Sequence, residues 1–210
     1  MKIKHLILGQ YENNCYVLRK SSDEKKCLII DTGLENAPLL NYLSENNLEP
    51  IAIVFTHGHI DHIAGLLQLR KKYPKIKVYI HKLDAEMLTN AKMNLSILAG
   101  LSFETSQADV IVEDGDKINE AEIKLDVLHT PGHTQGGISL YCPEDNIIFT
   151  GDTLFADSVG RTDLNGGSMT ELIESITQKL LNLEDKTVVY PGHGPKTTIG
   201  HEKKYNQYLQ

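Results

Sequence analysis

The chain has 210 residues, a length that predicts one domain over residues 1–210. Its 21 Lys and Arg against 28 Asp and Glu give a formal net charge of −7, which disfavours a nucleic-acid-binding protein. No apolar run approaches the ~18 residues of a membrane span, and the N-terminus is too polar for a signal peptide. We therefore expect a cytoplasmic protein whose partner is a small molecule; the composition leaves the oligomeric state open.

The first half of the chain alternates apolar runs with helical patterns. Strands are predicted at 14–18, 27–30, 51–55 and 75–80. Helices are predicted after Asn36 as the N-cap, from Ile63 to Lys72 with Leu66, Leu67 and Leu69 facing inward, and from Lys82 to Met93. The stretch 94–109 has no clear period, so it is interpreted either as a lid or as an exposed connection.

The second half returns to strands, predicted at 122–128, 137–141, 146–149 and 187–190. Ser168 and Glu171 form a capping-box signal that opens a helix. A short helix from about Gly200 to Tyr208 follows the last strand.

Three cysteines, Cys15, Cys27 and Cys142, are an odd number with no CxxC pair. We interpret them as buried free thiols in a reducing compartment.

A dense motif follows the buried strand at 51–55. His57 and His59 are two residues apart, so in an extended segment both rings face one side and reach one ion. Asp61 and His62 come where the chain turns into a helix, which redirects them toward a second ion. The motif therefore predicts half of a metal site.

The other half is expected from three distant loops. His133, Asp152 and His193 each follow a predicted strand, and loops at strand ends bring distant side chains together. Asp152 has two carboxylate oxygens and is the predicted bridge. Imidazole and carboxylate ligands suit two divalent ions, with Zn preferred and Fe or Mn as alternatives, and the absence of thiolate ligands argues against a structural zinc site.

Other histidines are interpreted as supporting residues. His5 and His201 are expected at the surface, and His81 is expected to be structural. His129 is expected to make a hydrogen bond rather than bind metal.

Four segments resemble the motifs of the metallo-β-lactamase-fold hydrolases. They are THGHIDHIAG at 56–65, TPGHT at 130–134, GDTLF at 151–155 and YPGHG at 190–194. The resemblance covers nearly the whole chain and implies an α/β fold, a four-layer αββα sandwich. It also implies that His57, His59 and His133 hold one metal, that Asp61, His62 and His193 hold the other, and that Asp152 bridges them. The catalytic carboxylates are then Asp61 and Asp152.

Within that superfamily the run GDTLFADSVGRTDL at 151–164 is similar to the glyoxalase II-like, or hydroxyacylglutathione hydrolase-like, branch. The resemblance implies hydrolysis of an S-2-hydroxyacylglutathione thioester by a metal-bound hydroxide. Arg161 falls where that branch has a basic residue that binds glutathione. The alternative interpretation of Arg161 is that it only forms an ion pair at the surface. Asp163 departs from the branch, which has an aromatic contact there, and the chain ends before that enzyme's C-terminal helical region.

Three alternatives stay open. Persulfide dioxygenases share the motifs and use one iron held by the residues matching His57, His133 and Asp152. Another ester, lactone or β-lactam is a further substrate possibility. A metal-stabilised binding module without catalysis is disfavoured because all seven expected ligands are present.

Overall fold

The fold is that of a computed structural model, which describes residues 1–98 and 100–210. Two six-stranded sheets lie face to face. The first sheet runs in chain order through β1 (Lys2–Leu8), β2 (Asn13–Arg19), β3 (Lys26–Ile30), β4 (Glu49–Val54), β5 (Lys77–His81) and β6 (Val110–Val112).

The second sheet is built from the second half of the chain. Its strands are β7 (Lys117–Glu120), β8 (Ile123–His129), β9 (Ile138–Cys142), β10 (Ile147–Gly151), β13 (Val188–Pro191) and β14 (Thr197–Thr198). The spatial order is β14-β13-β10-β9-β8-β7, in which only β10 and β13 pair in parallel. A separate hairpin joins β11 (Leu154–Phe155) to β12 (Ser158–Val159).

Helical segments cover the outer faces and the ends of both sheets. They are α1 (Ala37–Glu45), α2 (Ile60–Ile63), α3 (Leu66–Lys72), α4 (Met169–Ser175) with a π turn at Ile176–Leu180, α5 (Ile199–Tyr205), and 3₁₀ turns at Ala85–Thr89 and Gln207–Leu209. Among the described residues, none of these helices has the length and apolar character needed to cross a bilayer.

Successive side chains of a strand point to opposite faces of its sheet, so each sheet has apolar residues on both faces. Leu28 and Val54 point between the sheets and meet Leu125 of the second sheet. Ile29 and Ile53 point outward onto the side of α1 and α3, and the outer face of the second sheet packs on α4. The predicted four-layer αββα sandwich is confirmed.

The helix predicted from Ile63 to Lys72 is divided. α2 and α3 are separated at Gly65, where a Cβ would lie 2.6 Å from the carbonyl oxygen of Thr32. Asn36 is the N-cap residue of α1, but its side chain donates to the carbonyl of Gly65 instead of capping the helix. Leu67, predicted to face inward, is 46% exposed, so that assignment is wrong.

The prediction of a helix from Lys82 to Met93 is also wrong. The structure has only a 3₁₀ turn there, at Ala85–Thr89. Asn90 and Asn94 accept and donate local backbone hydrogen bonds that compete with helix formation. The irregular stretch 94–109 includes residue 99, which lies outside the described residues; its described parts are turns and extended segments.

Candidate metal centre

The carboxyl ends of several strands meet at one edge of the sandwich. β3 and β4 run parallel in the first sheet; β10 and β13 run parallel in the second, where β8 shares their direction through the antiparallel β9. The segments that follow β4, β8, β10 and β13, including the short helix α2, contain all seven predicted ligands: His57, His59, Asp61, His62, His133, Asp152 and His193. The structure brings all seven together.

The first ligand group consists of His57, His59 and His133. One nitrogen of each ring lies within 4.8 Å of the other two. Nδ1 of His59 is 2.9 Å from Nε2 of His133. His59 has the extended backbone that the i, i+2 spacing predicted, with φ −68° and ψ 149°.

The second ligand group consists of Asp61, His62 and His193. Nε2 of His193 lies 3.2 Å from Oδ2 of Asp61 and 3.3 Å from Nε2 of His62. Asp61 and His62 belong to α2, so the turn into the helix directs them away from His57 and His59.

Asp152 lies between the two groups. Its Oδ2 is 3.6 Å from Nε2 of His133 in the first group and 3.6 Å from Nε2 of His193 in the second. Its Oδ1 is 3.4 Å from Nε2 of His62. A single carboxylate thus contacts ligand nitrogens on both sides.

Three buried polar atoms at this centre have no hydrogen-bond partner: Nε2 of His57, Nε2 of His59 and Oδ1 of Asp152. An unpaired buried polar atom costs about 1–3 kcal/mol, so these three atoms are suited to bind a cation. The donor set of imidazoles and carboxylates is one that Zn²⁺ and Fe²⁺ accept. The residues present fit a divalent metal.

Hydrogen bonds to the second ring nitrogens fix the ligand histidines. Nδ1 of His133 donates to the backbone carbonyl of Arg161 at 2.7 Å, which leaves Nε2 with its lone pair toward the group. Nδ1 of His57 lies 3.2 Å from the hydroxyl of Thr56.

Burial and neighbouring charges set the pKa values of the histidine and aspartate side chains at this centre. Burial lowers the pKa of His57 well below its usual value and lowers the pKa of His59 to about 3. Burial opposes the ionisation of Asp152, but the charge of His62 holds the pKa of this carboxyl well below its usual range. The carboxylates, Asp152 foremost, outweigh burial and raise the pKa of His62.

Two buried aspartates that hold the ligand loops were not identified from the sequence. Asp31 follows β3 and accepts from His62 and Thr56. Asp84 is 1% exposed and accepts from the backbone N–H groups of Gly58 and Gly136. A lone Asp at a strand end is typical of a turn, so only the position of Asp31 after a strand was a signal.

Gly192 shows how closely the loops approach one another. A Cβ at this position would collide with the carboxylate of Asp152 and would lie 2.9 Å from Cε1 of His62. The Pro-Gly-His sequence is therefore required by packing as well as by ligation.

A cleft of about 520 Å³ opens over the centre. His59, Asp61, His133, Asp152 and His193 line its floor. Its other lining residues are Tyr11, Ile60, Leu95, Leu98, Phe155, Ser158, Val159, Arg161 and Leu164, which are mostly apolar. Leu95 and Leu98 come from the stretch predicted as a lid or a connection.

Arg161 lines the cleft but is already paired. Its Nε and one terminal nitrogen each lie 2.7 Å from an oxygen of Asp163, and both side chains are exposed. Both interpretations of Arg161 thus have support, because the side chain reaches the cleft and forms a surface ion pair.

The remaining histidines lie outside the seven-residue centre. Nε2 of His129 donates to the backbone carbonyl of Gln135 at 2.8 Å, which is the hydrogen-bonding role predicted, and the ring stacks on the buried His81. His201 is close to Asp157 and Glu202 at the surface. All three cysteines are free and buried, as predicted.

A four-layer sandwich with clustered His and Asp side chains at the strand ends defines a class of metal-dependent hydrolases. The sequence profile of the family described as "Metallo-beta-lactamase superfamily" matches residues 8–193, and the chain belongs to this superfamily. Membership implies that the chain binds divalent metal through side chains of this kind.

Among the relatives that match this chain over nearly their full length, two have informative names. A probable metallo-hydrolase, YqgX of Bacillus subtilis, is 38% identical over 210 residues, covering 100% of this chain and 98% of the relative. The hydroxyacylglutathione hydrolase GloC of Haemophilus influenzae is 32% identical over 217 residues, covering 100% of this chain and 98% of the relative.

Three crystal structures share the fold. The BLEG-1 B3 metallo-beta-lactamase has a TM-score of 0.94 and 37% identity, covering 100% of both chains. TTHA1623 in a di-iron-bound form has a TM-score of 0.86 and 34% identity, covering 98% of this chain and 100% of the other. ETHE1 from Myxococcus xanthus has a TM-score of 0.80 and 28% identity, covering 99% of this chain and 84% of the other.

Proposed function

We propose that this protein is a dinuclear metal-dependent hydrolase that cleaves a thioester of the S-2-hydroxyacylglutathione type. The observation that carries the proposal is the pair of three-residue ligand groups with Asp152 in contact with both. The similarity to the hydroxyacylglutathione hydrolase GloC supports the substrate class.

The ligand assignment follows the two groups. His57, His59 and His133 would hold one ion, Asp61, His62 and His193 would hold the other, and Asp152, which contacts both groups, would be a ligand shared by the two. We propose Zn as the metal, with Fe or Mn as alternatives; the di-iron form of TTHA1623 supports a two-metal centre and keeps iron among the candidates.

Bound divalent ions lower the pKa of water to near neutrality and polarise a carbonyl oxygen. The chain supplies the geometry and the charge. Asp61 and Asp152 present carboxylate oxygens at the floor of the cleft, beside His193, and we assign the catalytic carboxylate roles to them. A thiol has a pKa of about 8.5, so a thiolate leaves with little protonation and the chain needs no separate general acid.

The cleft supports a small-molecule substrate. Its volume of about 520 Å³ lies within the range of ligand pockets. Tyr11, Leu98 and Phe155 give it apolar walls, and Arg161 provides a cation for a substrate carboxylate.

A mono-iron persulfide dioxygenase is the second candidate. It needs only His57, His133 and Asp152, a two-histidine, one-carboxylate set. The similarity to the ETHE1 structure supports keeping this candidate. The dinuclear hydrolase is favoured because of the similarity to the hydroxyacylglutathione hydrolase GloC and to the di-iron-bound TTHA1623.

The test combines metal analysis with three assays on protein purified without added metal. Metal content per chain is measured by mass spectrometry. The same preparation is assayed for S-lactoylglutathione hydrolysis, for oxygen consumption with glutathione persulfide, and for hydrolysis of a chromogenic cephalosporin. The cephalosporin is included because of the similarity to a B3 metallo-beta-lactamase.

Two ions per chain together with S-lactoylglutathione hydrolysis is the expected result. One iron per chain with oxygen consumption would overturn the hydrolase proposal. Two ions with activity only on the cephalosporin would keep the metal centre and reject the thioester.

A further inference from the structure

The hairpin formed by β1 and β2 contributes none of the seven predicted ligands, yet the start of β2 contacts the loop that carries His193. The backbone N–H of Asn14 donates to the carbonyl of Gly192 at 2.7 Å. Its side-chain Nδ2 donates to the carbonyls of Pro191 at 3.0 Å and Gly194 at 2.8 Å. Asn14 therefore fixes the backbone on both sides of His193.

Asn14 is itself held in place. It is 1% exposed, and its Oδ1 lies 2.7 Å from Nε2 of His5, so both donors and the acceptor of its amide are used. Tyr16, two residues along the strand, donates its hydroxyl to the same Pro191 carbonyl at 2.7 Å. The contacts form a clamp on one loop rather than a scattered set of surface bonds.

The neighbouring Asn13 contacts both histidines of the second group. Its Nδ2 lies 3.0 Å from Nδ1 and 3.2 Å from Nε2 of His62, so the amide lies against the ring. Its backbone forms an isolated β-bridge with His193. Asn13 is 0% exposed, and among residues 1–98 and 100–210 its Oδ1 has no hydrogen-bond partner.

The first group is held by different residues. Asp84 joins the loop of His57 and His59 to the loop of His133 through Gly58, Gly136 and the hydroxyl of Thr134, which donates at 2.8 Å. Within residues 1–98 and 100–210, no hydrogen bond joins Asn13 or Asn14 to the first group.

From this separation we propose that Asn13 and Asn14 are positioning residues that set the metal affinity of the second group independently of the first. The inference rests on the proposed two-metal function. Its consequence is that the two positions load separately, with the β1–β2 hairpin controlling whether the chain holds one ion or two.

The test measures two zinc dissociation constants on chelator-treated protein by competition with a chromogenic chelator, with metal content checked by mass spectrometry. Asn14→Ala is the main variant. Tyr16→Phe removes the hydroxyl that donates to the Pro191 carbonyl in the clamp. Thr134→Val is the matched control, because it removes the hydroxyl that donates to Asp84 beside the first group. Thermal unfolding of each variant records whether the fold is retained.

Substituting a residue that orients metal ligands typically weakens metal binding about 10–100-fold. Asn14→Ala should raise one of the two dissociation constants by about that factor and leave the other unchanged. Tyr16→Phe should shift the same constant by less, and Thr134→Val should shift only the other constant.

The outcomes separate the two proposals. A wild-type chain that binds fewer than two zinc ions overturns the dinuclear function and this inference together. A wild-type chain with two ions, combined with unchanged or equally weakened constants in Asn14→Ala, overturns the inference alone. If Asn14→Ala does not fold, Tyr16→Phe decides: equal shifts of both constants, or no shift of either, reject the clamp.

Discussion

Oδ2 of Asp31 lies 2.9 Å from Nδ1 of His62, with both side chains almost completely buried. The same carboxylate accepts from the backbone N–H and the hydroxyl of Thr56, and that hydroxyl lies 3.2 Å from Nδ1 of His57. One carboxylate thus orients a histidine in each ligand group.

Asp31→Asn should weaken binding at both groups, because an amide cannot accept from all of these donors. The backbone of Asp31 has a φ of +54°, which Asn tolerates, so the fold should be retained. We expect about a 10–100-fold rise in both zinc dissociation constants, measured by chelator competition. Asp116→Asn, an exposed turn carboxylate, is the control and should change neither constant. Wild-type affinity in Asp31→Asn would show that the contact does not orient His62.

Asp152→Ala should abolish turnover while leaving the fold largely intact. The carboxylate of Asp152 contacts ligand histidines at 3.4–3.6 Å, so its removal should affect the metal centre rather than the sheets. Losing a ligand should cost more than the roughly hundredfold loss seen when supporting residues are changed. The measurement is kcat/KM for S-lactoylglutathione beside far-ultraviolet circular dichroism. Near-normal activity in a folded variant would reject the bridging assignment.

Removal of metal should lower the thermal stability of the protein. A ligand that binds only the folded state stabilises it by about 4 kcal/mol when its free concentration is 1,000 times its Kd. Calorimetry with and without chelator should therefore show a fall in Tm that reverses on adding zinc. A variant with His57→Ala and His193→Ala is the control and should respond little to chelator. An unchanged Tm in the wild type would mean that the folded chain does not bind metal tightly.

The ligands were predictable because each stands in a short motif directly after an apolar strand. His133 and His193 could be predicted as ligands from one rule alone, that loops at strand ends bring distant side chains together. The supporting residues were not predictable. Asp84 lies in the segment interpreted as a helix, and Asn14 is the first residue of a predicted strand. Their roles depend on contacts with residues far away in the chain. The periodicity of apolar residues in the sequence does not reveal such contacts.

His81 should make stability depend on pH outside the metal centre. Burial, and then the stacked His129, lower its pKa to about 4. Since the unfolded chain binds the proton from about pH 6.5 downward, and the folded chain only near pH 4, stability should fall as pH decreases through this window.

Urea unfolding of the zinc-loaded protein at pH 7 and pH 5 gives the measurement. The loss of unfolding free energy should be smaller in His81→Phe than in the wild type, by up to about 1.4 kcal/mol per pH unit for a fully shifted group. His201→Phe changes a histidine that lies outside the metal centre, beside Asp157, and serves as the control. Equal pH dependence in the wild type and His81→Phe would contradict the lowered pKa of His81.

Asp163 should compete with an anionic substrate for Arg161. The two side chains form a bidentate pair at the mouth of the cleft, and both are exposed. Exposed ion pairs contribute little to stability, so displacement of Asp163 costs at most about a fivefold factor in binding. Asp163→Asn should therefore lower KM for S-lactoylglutathione by up to about fivefold with little change in kcat.

Arg161→Gln should raise the same KM, because the glutathione carboxylates lose their cation. An uncharged thioester with the same acyl group is the control substrate, and its KM should not respond to either substitution. If Asp163→Asn changes both substrates equally, the ion pair acts on the shape of the cleft rather than on charge. If neither variant changes KM for S-lactoylglutathione, Arg161 does not bind the substrate.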